Sequence, residues 1–332
     1  MHSQLASLNP EQLRAVQTTR GRVLILAGAG TGKTMVLTTR IAYLLSQGTA
    51  EPKHILGLTF TNKAALEMRQ RISRMVSPEA AKELTLATFH SFCMNILRKE
   101  IHHLGWTNQF TLYQPGDVER LLQALARDML NVDGELPSLS SAINLINRAK
   151  NGGLEPEEMQ AGGTTWHDDF VRTLYRKFLD AMRAHNALDF DLLLVLTVRL
   201  FEKHPEILSE YQDRYRFLMI DEYQDTNPIQ FRLAELLTQK HKNLCVVGDD
   251  DQSIYGWRGA DVKNILEFGD AAVIKLEQNY RSTPTILNAA NAVIGLNTTR
   301  HQKALWSRKE PGAKITVFNT PTDLDEAQAV IY

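Results

Sequence analysis

The chain has 332 residues, about two domains of ordinary size, and its 43% hydrophobic and 23% charged content is typical of a globular protein with a sizeable core. Its 37 Lys and Arg residues nearly balance its 38 Asp and Glu residues, which excludes a uniformly basic nucleic-acid-binding protein, so any basic surface must be local. The N-terminus has no signal-peptide pattern, and no apolar run is long enough to span a bilayer, so we expect a cytoplasmic protein without membrane contact. Cys93 and Cys245 lie in apolar segments, and we expect both to be buried thiols.

Short apolar runs alternate with segments of helical periodicity in the first and last parts of the chain. The runs cover residues 23–26, 55–60, 84–88, 217–220, 244–248 and 273–276. Buried strands of a parallel sheet have this continuous apolar character, so the pattern predicts an α/β fold with a mostly parallel sheet. A helix is expected to begin at the capping pair Thr61-Asn62 and to continue through Ile72.

The middle of the chain, residues 108–186, predicts an α-helical insertion without strands. Helices are expected at 115–130, 139–150 and 169–185, with loops at Gly152-Gly153 and Gly162-Gly163. The first domain would then comprise residues 1–107 and 187–277. Residues 278–332 predict the start of a further, truncated domain, with a helix at 285–294, a strand at 314–318 and another helix from Leu324.

A glycine-rich segment follows the first apolar run and precedes an amphipathic helix. It consists of Ala27, Gly28, Ala29, Gly30, Thr31, Gly32, Lys33 and Thr34. This order of strand, turn and helix is that of a phosphate-binding loop, although Ala27 replaces the usual first glycine. Lys33 would reach the terminal phosphates and Thr34 would hold Mg²⁺, so the segment predicts binding of a nucleoside triphosphate.

The acidic pair Asp221-Glu222 follows the apolar run 217–220. By itself such a pair could be solvated carboxylates at a strand end. Together with the phosphate-binding loop, it predicts that Asp221 holds Mg²⁺, directly or through water, and that Glu222 orients and deprotonates the attacking water.

Several longer strings are far more specific. Their order along the chain resembles that of the UvrD/Rep/PcrA branch of superfamily-1 DNA helicases, with RecA-like domains, over essentially the whole chain. The strings lie at residues 8–12, 59–65, 88–92, 221–228, 246–260 and 278–282.

The resemblance implies roles at an ATP site between two RecA-like domains. Gln12 would recognise the adenine edge, Tyr280 would pack on the base, and Arg281 would reach the terminal phosphate from the second core domain. Gln252 would sense that phosphate and couple it to a DNA groove. Ala27 is common in such helicases, whereas Met35 stands where close relatives often carry an arginine.

The resemblance also implies a set of single-stranded-DNA contacts. They are Phe60, Asn62, His90, Tyr255, Trp257 and Arg258. Core packing is the alternative for Phe60 and Trp257, and an ordinary strand-end position is the alternative for His90. Arg148 and Lys150 of the insertion could touch duplex DNA or belong to a solvated face.

The expected function is ATP-dependent, Mg²⁺-dependent separation of DNA strands in repair or replication, with 3′–5′ movement on single strands inherited from the family. Expected partners are single-stranded DNA, single/double-strand junctions and accessory proteins. Two alternatives stay open: a nucleotide- and DNA-binding module without unwinding activity, and the helicase part of a RecB/AddA-like helicase-nuclease.

Overall fold

A computed structural model describes residues 2–132, 136–159 and 166–331. Within these ranges the chain forms a six-stranded parallel sheet and a separate two-stranded pair. The strands are β1 (Arg22–Ala27), β2 (Ile55–Thr59), β3 (Thr85–Thr88), β4 (Thr111–Leu112), β5 (Ala187–Leu188), β6 (Phe217–Ile220), β7 (Leu244–Gly248) and β8 (Ala272–Leu276). The large sheet has the order β3-β2-β6-β7-β1-β8, which confirms the predicted α/β class and all six predicted strands.

The helices cover both faces of the large sheet and form most of the middle region. They are α1 (His2–Ala6), α2 (Pro10–Gln17), α3 (Lys33–Ser46), α4 (Asn62–Ser73), α5 (Pro78–Glu83), α6 (Phe89–Glu100), α7 (Pro115–Leu130), α8 (Ser140–Asn151), α9 (Trp166–Ala184), α10 (Phe190–Lys203), α11 (Pro205–Arg214), α12 (Pro228–Thr238), α13 (Lys263–Leu266), α14 (Pro284–Ile294) and α15 (Asp323–Ile331). In the described ranges, no helix combines the length and apolar character needed to cross a membrane.

Side-chain caps explain where several of these helices begin. The Thr61 hydroxyl accepts a hydrogen bond from the Ala64 amide at 3.1 Å, which confirms the predicted start of α4. Asn9 caps α2 in the same way and forms a reciprocal capping box with Gln12. Each cap fixes where the first turn of its helix lies.

The two faces of the sheet bury separate apolar cores, because side chains alternate along each strand. Leu24 and Leu26 of β1 face one core, whereas Val23 and Ile25 face the other. The first core also contains Cys93 and continues into the insertion, and the second contains Cys245. Both thiols are buried and free, as predicted.

The middle region contains the three predicted helices as α7, α8 and α9, and Gly152-Gly153 follows the end of α8. Gly162-Gly163, predicted to form a loop, lies outside the described residues. The prediction that the region has no strands is wrong at its edge, because β4 pairs in parallel with β5. Strands of two residues are too short to produce a periodic sequence pattern.

The last part of the chain contains α14 and α15 near their predicted positions, but the strand predicted at 314–318 is wrong. Val317 and Phe318 are 86% and 69% exposed there. Because a strand needs a partner for its backbone groups, an apolar run with no described strand beside it does not form one.

A buried ion pair attaches the insertion to α10. The Lys150 ammonium lies 2.6 Å from Asp189 and 3.0 Å from Asp191, and the Lys150 side chain is only 2% exposed. Asp189 also caps α10 by accepting a hydrogen bond from the Leu192 amide. The structure therefore contradicts both surface roles considered for Lys150, whereas Arg148 on the same helix is exposed.

We expect Lys150→Ala to lower the free energy of unfolding by about 3–5 kcal/mol, because it leaves a buried carboxylate without its cation. Urea unfolding of the variant and the unaltered chain measures this change. Arg148→Ala is the matched control on the same helix and should change the free energy by less than about 0.5 kcal/mol. Equal losses for the two variants would contradict the anchoring role of Lys150.

Candidate ATP site and DNA groove

The site lies at the carboxyl edge of the large sheet, where all six parallel strands end on the same side. The glycine-rich loop follows β1, Asp221 follows β6, and Asp249 follows β7. Strand β7 lies between the other two, with Leu26 opposite Gly248 and Ile220 opposite Val246. Parallel pairing in this register brings the three segments to one crevice, which is where open α/β sheets bind ligands.

The glycine-rich loop has the backbone conformation that its glycines predict. Gly30 and Gly32 have φ angles of 72° and 91°, in the left-handed region that other residues rarely adopt. A Cβ on Gly30 would lie 2.7 Å from the Cβ of Arg281, so this position also needs glycine for space. Lys33 begins α3 directly after the loop, so the helix N-terminus and the loop amides form a concavity suited to phosphate.

The Lys33 ammonium links the loop to the acidic pair. Its Nζ lies 2.9 Å from Oε2 of Glu222 and 3.4 Å from Oε1 of Gln252. The Lys33 side chain is 11% exposed and that of Glu222 is 40% exposed. Residues from three separate parts of the sequence thus meet where the terminal phosphates of a nucleotide would lie.

Asp221 and Thr34 meet beside this pair. The Thr34 hydroxyl donates a hydrogen bond to Oδ2 of Asp221 at 3.2 Å. Burial first, and then the nearby Glu222 charge, together raise the pKa of Asp221 to about 6. A hydroxyl and a carboxylate oxygen are ligands that Mg²⁺ accepts, so both residues fit the predicted metal role.

Glu222 has a left-handed backbone, with φ 51° and ψ 44°. Such a conformation in a non-glycine residue costs about 1–3 kcal/mol and is concentrated at functional sites. The Gln224 amide donates to Glu222 at 3.0 Å and its Oε1 accepts from the Asp249 amide at 3.1 Å. Gln224 and Asp249 therefore hold the acidic pair and the Gln252 segment together. Both lie inside the strings that carry the resemblance, but neither received a predicted role.

Gln12 lies beneath the loop rather than free in a pocket. Its Nε2 donates to the Thr31 carbonyl at 2.9 Å, and its Oε1 accepts from the Asn9 amide at 3.1 Å. Met35 and Gln12 both flank Gly32, where a Cβ would lie 3.0 and 3.2 Å from their side chains. Met35 lines a pocket of about 460 Å³ together with Arg71 and Arg74. Gln12 is buried at the loop, and its contact with adenine stays a prediction.

The segment 278–282 lies directly over the loop. The Tyr280 amide donates to the Gly30 carbonyl at 2.9 Å, and Asn279 Nδ2 donates to the Ala29 carbonyl. Asn279 Oδ1 in turn accepts from the Arg281 amide at 2.8 Å. Tyr280 is 46% exposed, and Arg281 is also exposed. Asn279, which had no predicted role, therefore positions both predicted nucleotide contacts against the loop.

A groove of about 810 Å³ adjoins the candidate ATP site and contains most of the predicted DNA contacts. Its lining includes Phe60, His90, Tyr255, Trp257 and Arg258. Asn62 is not among the lining residues and is exposed at the start of α4, whereas the neighbouring Thr61 does line the groove.

The exposure of these side chains bears on the alternatives left open by the sequence. Trp257 is 75% exposed, so core packing does not account for it. Phe60 packs against the first core and against Phe89 at 5.8 Å between ring centroids, while also facing the groove. His90 is largely buried beside Phe190, and burial lowers the pKa of its imidazole. Arg258 lies 4.5 Å above the Trp257 ring, which favours a flat, cationic stacking surface.

Side chains of the insertion also line the groove, and of these the sequence prediction included only Arg148, as a possible contact with duplex DNA. Asn144, Asn147, Arg148 and Asn151 of α8 line the groove, and Asn151 accepts a hydrogen bond from Asn227 at 2.8 Å. Their spacing of three or four residues places them on one helix face, and this regular spacing is the signal that could have identified them.

Comparisons with known proteins agree with this geometry. Residues 8–272 match the UvrD/REP helicase N-terminal domain, and residues 274–332 match the UvrD-like helicase C-terminal domain. All of the chain aligns at 45% identity with proteins named ATP-dependent DNA helicase PcrA from Staphylococcus aureus and Staphylococcus epidermidis. It spans 46% of the length of these relatives. The resemblance predicted from the ordered motifs is therefore confirmed.

Asp221→Asn is expected to stabilise the nucleotide-free chain above pH 6. The pKa of Asp221 is about 6 when folded, against a usual 3.8, so ionisation between these values lowers the free energy of unfolding. A shift of about 2 units corresponds to about 3 kcal/mol. The difference between variant and unaltered chain should therefore grow from pH 4 to pH 6 and stay constant above it.

Urea unfolding in EDTA across pH 4–7.5 measures this difference. Asp213→Asn is the control, because Lys240 lowers the pKa of the exposed Asp213 carboxyl. This substitution should change the free energy of unfolding with pH in the opposite direction. A difference for Asp221→Asn that does not depend on pH would show that this carboxylate is not destabilised by burial.

Proposed function

The chain belongs to the UvrD/Rep family of helicases, and from this premise we propose that it binds ATP with Mg²⁺ and hydrolyses it in response to single-stranded DNA. In the complete protein, hydrolysis would drive translocation and strand separation. The observation that carries the proposal is the Lys33–Glu222 contact of 2.9 Å, which joins the phosphate-binding loop to the carboxylate of a residue beside Asp221 with a left-handed backbone.

The residues of this site divide the work of hydrolysis. Lys33 exchanges its contact with Glu222 for phosphate oxygens, which frees the Glu222 carboxylate to orient and deprotonate water. Thr34 and Asp221 supply oxygen ligands for Mg²⁺, which neutralises phosphate charge when it is bound. Arg281 supplies a further positive charge at the terminal phosphate from the segment over the loop, a role typically worth about 10³–10⁵ in rate.

The groove provides the link to DNA. Tyr255, Trp257 and Arg258 follow Gln252 within a few residues, so a shift of Gln252 toward phosphate would move the start of the stacking surface. Aromatic faces bind bases without reading sequence, and the Asn and Arg side chains of α8 suit the sugar-phosphate backbone. The proposed substrate is therefore single-stranded DNA of any sequence.

Finer features of the proposal come from the family rather than from individual residues. They are 3′–5′ polarity, action at single/double-strand junctions, a role in repair or replication with accessory proteins, and a cytoplasmic location. Measurement of ATP hydrolysis by this chain, with and without single-stranded DNA, tests the central part of the proposal, which is DNA-stimulated hydrolysis. Strong stimulation supports the motor, whereas nucleotide binding without turnover favours a binding module.

Glu222→Gln is expected to keep ATP binding and to lower DNA-stimulated hydrolysis by about 10²–10⁴-fold, because the amide cannot accept the proton of the attacking water. Phosphate release gives the rate, and a fluorescent ATP analogue gives the affinity. The experiment is best made in the complete protein, with Glu267→Gln at an exposed site as the control. Normal turnover by Glu222→Gln would refute the assignment of the base.

Trp257→Ala is expected to weaken single-stranded DNA binding by about 5–150-fold, since loss of one stacked base costs about 1–3 kcal/mol. Fluorescence anisotropy with labelled oligonucleotides of different sequence measures this loss, which should be similar for all of them. Trp166→Ala provides a matched control, because Trp166 is 69% exposed on α9 but does not line the groove. Equal effects of the two substitutions would contradict the stacking role.

A further inference from the structure

Three consecutive carboxylates precede Gln252 in the segment after β7. The side chains of Asp249, Asp250 and Asp251 are only 5%, 0% and 10% exposed. Like charges held this closely and away from water repel one another, so the segment needs cations close by.

Those cations come from residues more than forty positions further along the chain. The Lys303 ammonium lies 2.9 Å from Asp249, 2.7 Å from Asp250 and 2.7 Å from Asp251, and its side chain is 3% exposed. Arg300 contacts both carboxylate oxygens of Asp251, at 2.9 and 2.7 Å. The three carboxylates and two cations leave the cluster with one net negative charge.

The cluster is connected to the proposed ATP site through Asp249, whose carboxylate contacts Gln252 and whose amide donates a hydrogen bond to Gln224. Asp249 Oδ2 accepts a hydrogen bond from the Gln252 amide, and Oδ1 of the same carboxylate contacts Lys303. Gln252 Oε1 faces the Lys33 ammonium at 3.4 Å. Lys303 therefore restrains the carboxylate that determines which way the Gln252 amide points.

We propose that Lys303 is a positioning residue, which holds Gln252 toward the terminal phosphate by bridging the three carboxylates of residues 249–251. This inference rests on the proposed binding of ATP and extends it to a residue outside every motif of the chain. Without the ammonium, Oδ1 of Asp249 keeps only the hydrogen bond from the Asp251 amide at 3.2 Å, so the carboxylate that orients Gln252 is held less firmly.

The test compares the affinities for a fluorescent non-hydrolysable ATP analogue and for fluorescent ADP, because only the former carries the terminal phosphate. The key variant is Lys303→Met combined with Asp250→Asn, which removes one cation and one carboxylate and so keeps the net charge of the cluster. Asp250→Asn alone is the control, since it keeps the ammonium on Asp249. Gln252→Ala is the reference for complete loss of the proposed contact between the Gln252 side chain and the terminal phosphate.

The expected result is that the double variant loses preference for the ATP analogue over ADP by about tenfold, the value of one hydrogen bond to a charged group. Gln252→Ala should show the same loss of preference, and adding Gln252→Ala to the double variant should cause no further loss. The ADP affinity and the melting temperature of the double variant should stay close to those of the Asp250→Asn control. Lys303→Arg should restore most of the preference.

The proposal would be overturned by an unchanged preference in the double variant, or by additive losses when Gln252→Ala is combined with it. A parallel fall in both affinities would indicate general loss of structure and would equally contradict a specific positioning role. If the unaltered chain bound neither nucleotide, the proposed ATP site itself would fail, and this result is distinct from the others.

Discussion

Parallel pairing of β6, β7 and β1 is the constraint on which the rest of the molecule depends. It places the ends of three strands at the same level, so the phosphate-binding loop, the acidic pair and the Gln252 segment share one crevice. Each strand is almost entirely buried, and a shift of register would move its side chains to the opposite core. The packing of both cores therefore holds the geometry of the candidate ATP site.

Burial of charge is the second organising feature. Lys33, Lys150 and Lys303 all have side chains at most 11% exposed, and each is paired with one or more carboxylates. Removing charges from water is costly, and a pair compensates this cost only with close contacts. At Lys150 the contacts are short and the role is structural. At Lys33 the partner Glu222 is still partly exposed, which suits the proposed exchange of this pair for a phosphate.

Hydrogen bonds of a few residues connect the candidate ATP site with the groove. Gln224 bonds to Glu222 and to the backbone of Asp249, and the segment that begins there continues through Gln252 to the exposed Trp257. Segment 278–282 lies over the loop from the other side through backbone carbonyls. A change at the phosphate position therefore has short, hydrogen-bonded routes both to the groove and to the segment that carries Arg281.

The sequence alone determined the six strands, the class of fold, the family and the identity of the residues around Lys33, because each depends on local patterns within a short string. Its predictions were wrong where structure depends on a partner, as for the strand at 314–318 and the two-residue pair β4–β5. Lys150 and Lys303 illustrate the same limit: their charges indicate surface residues, and only the fold brings carboxylates to them. The tertiary structure alone decided these pairings, since electrostatic contacts form between residues that are close in space, whatever their separation along the chain.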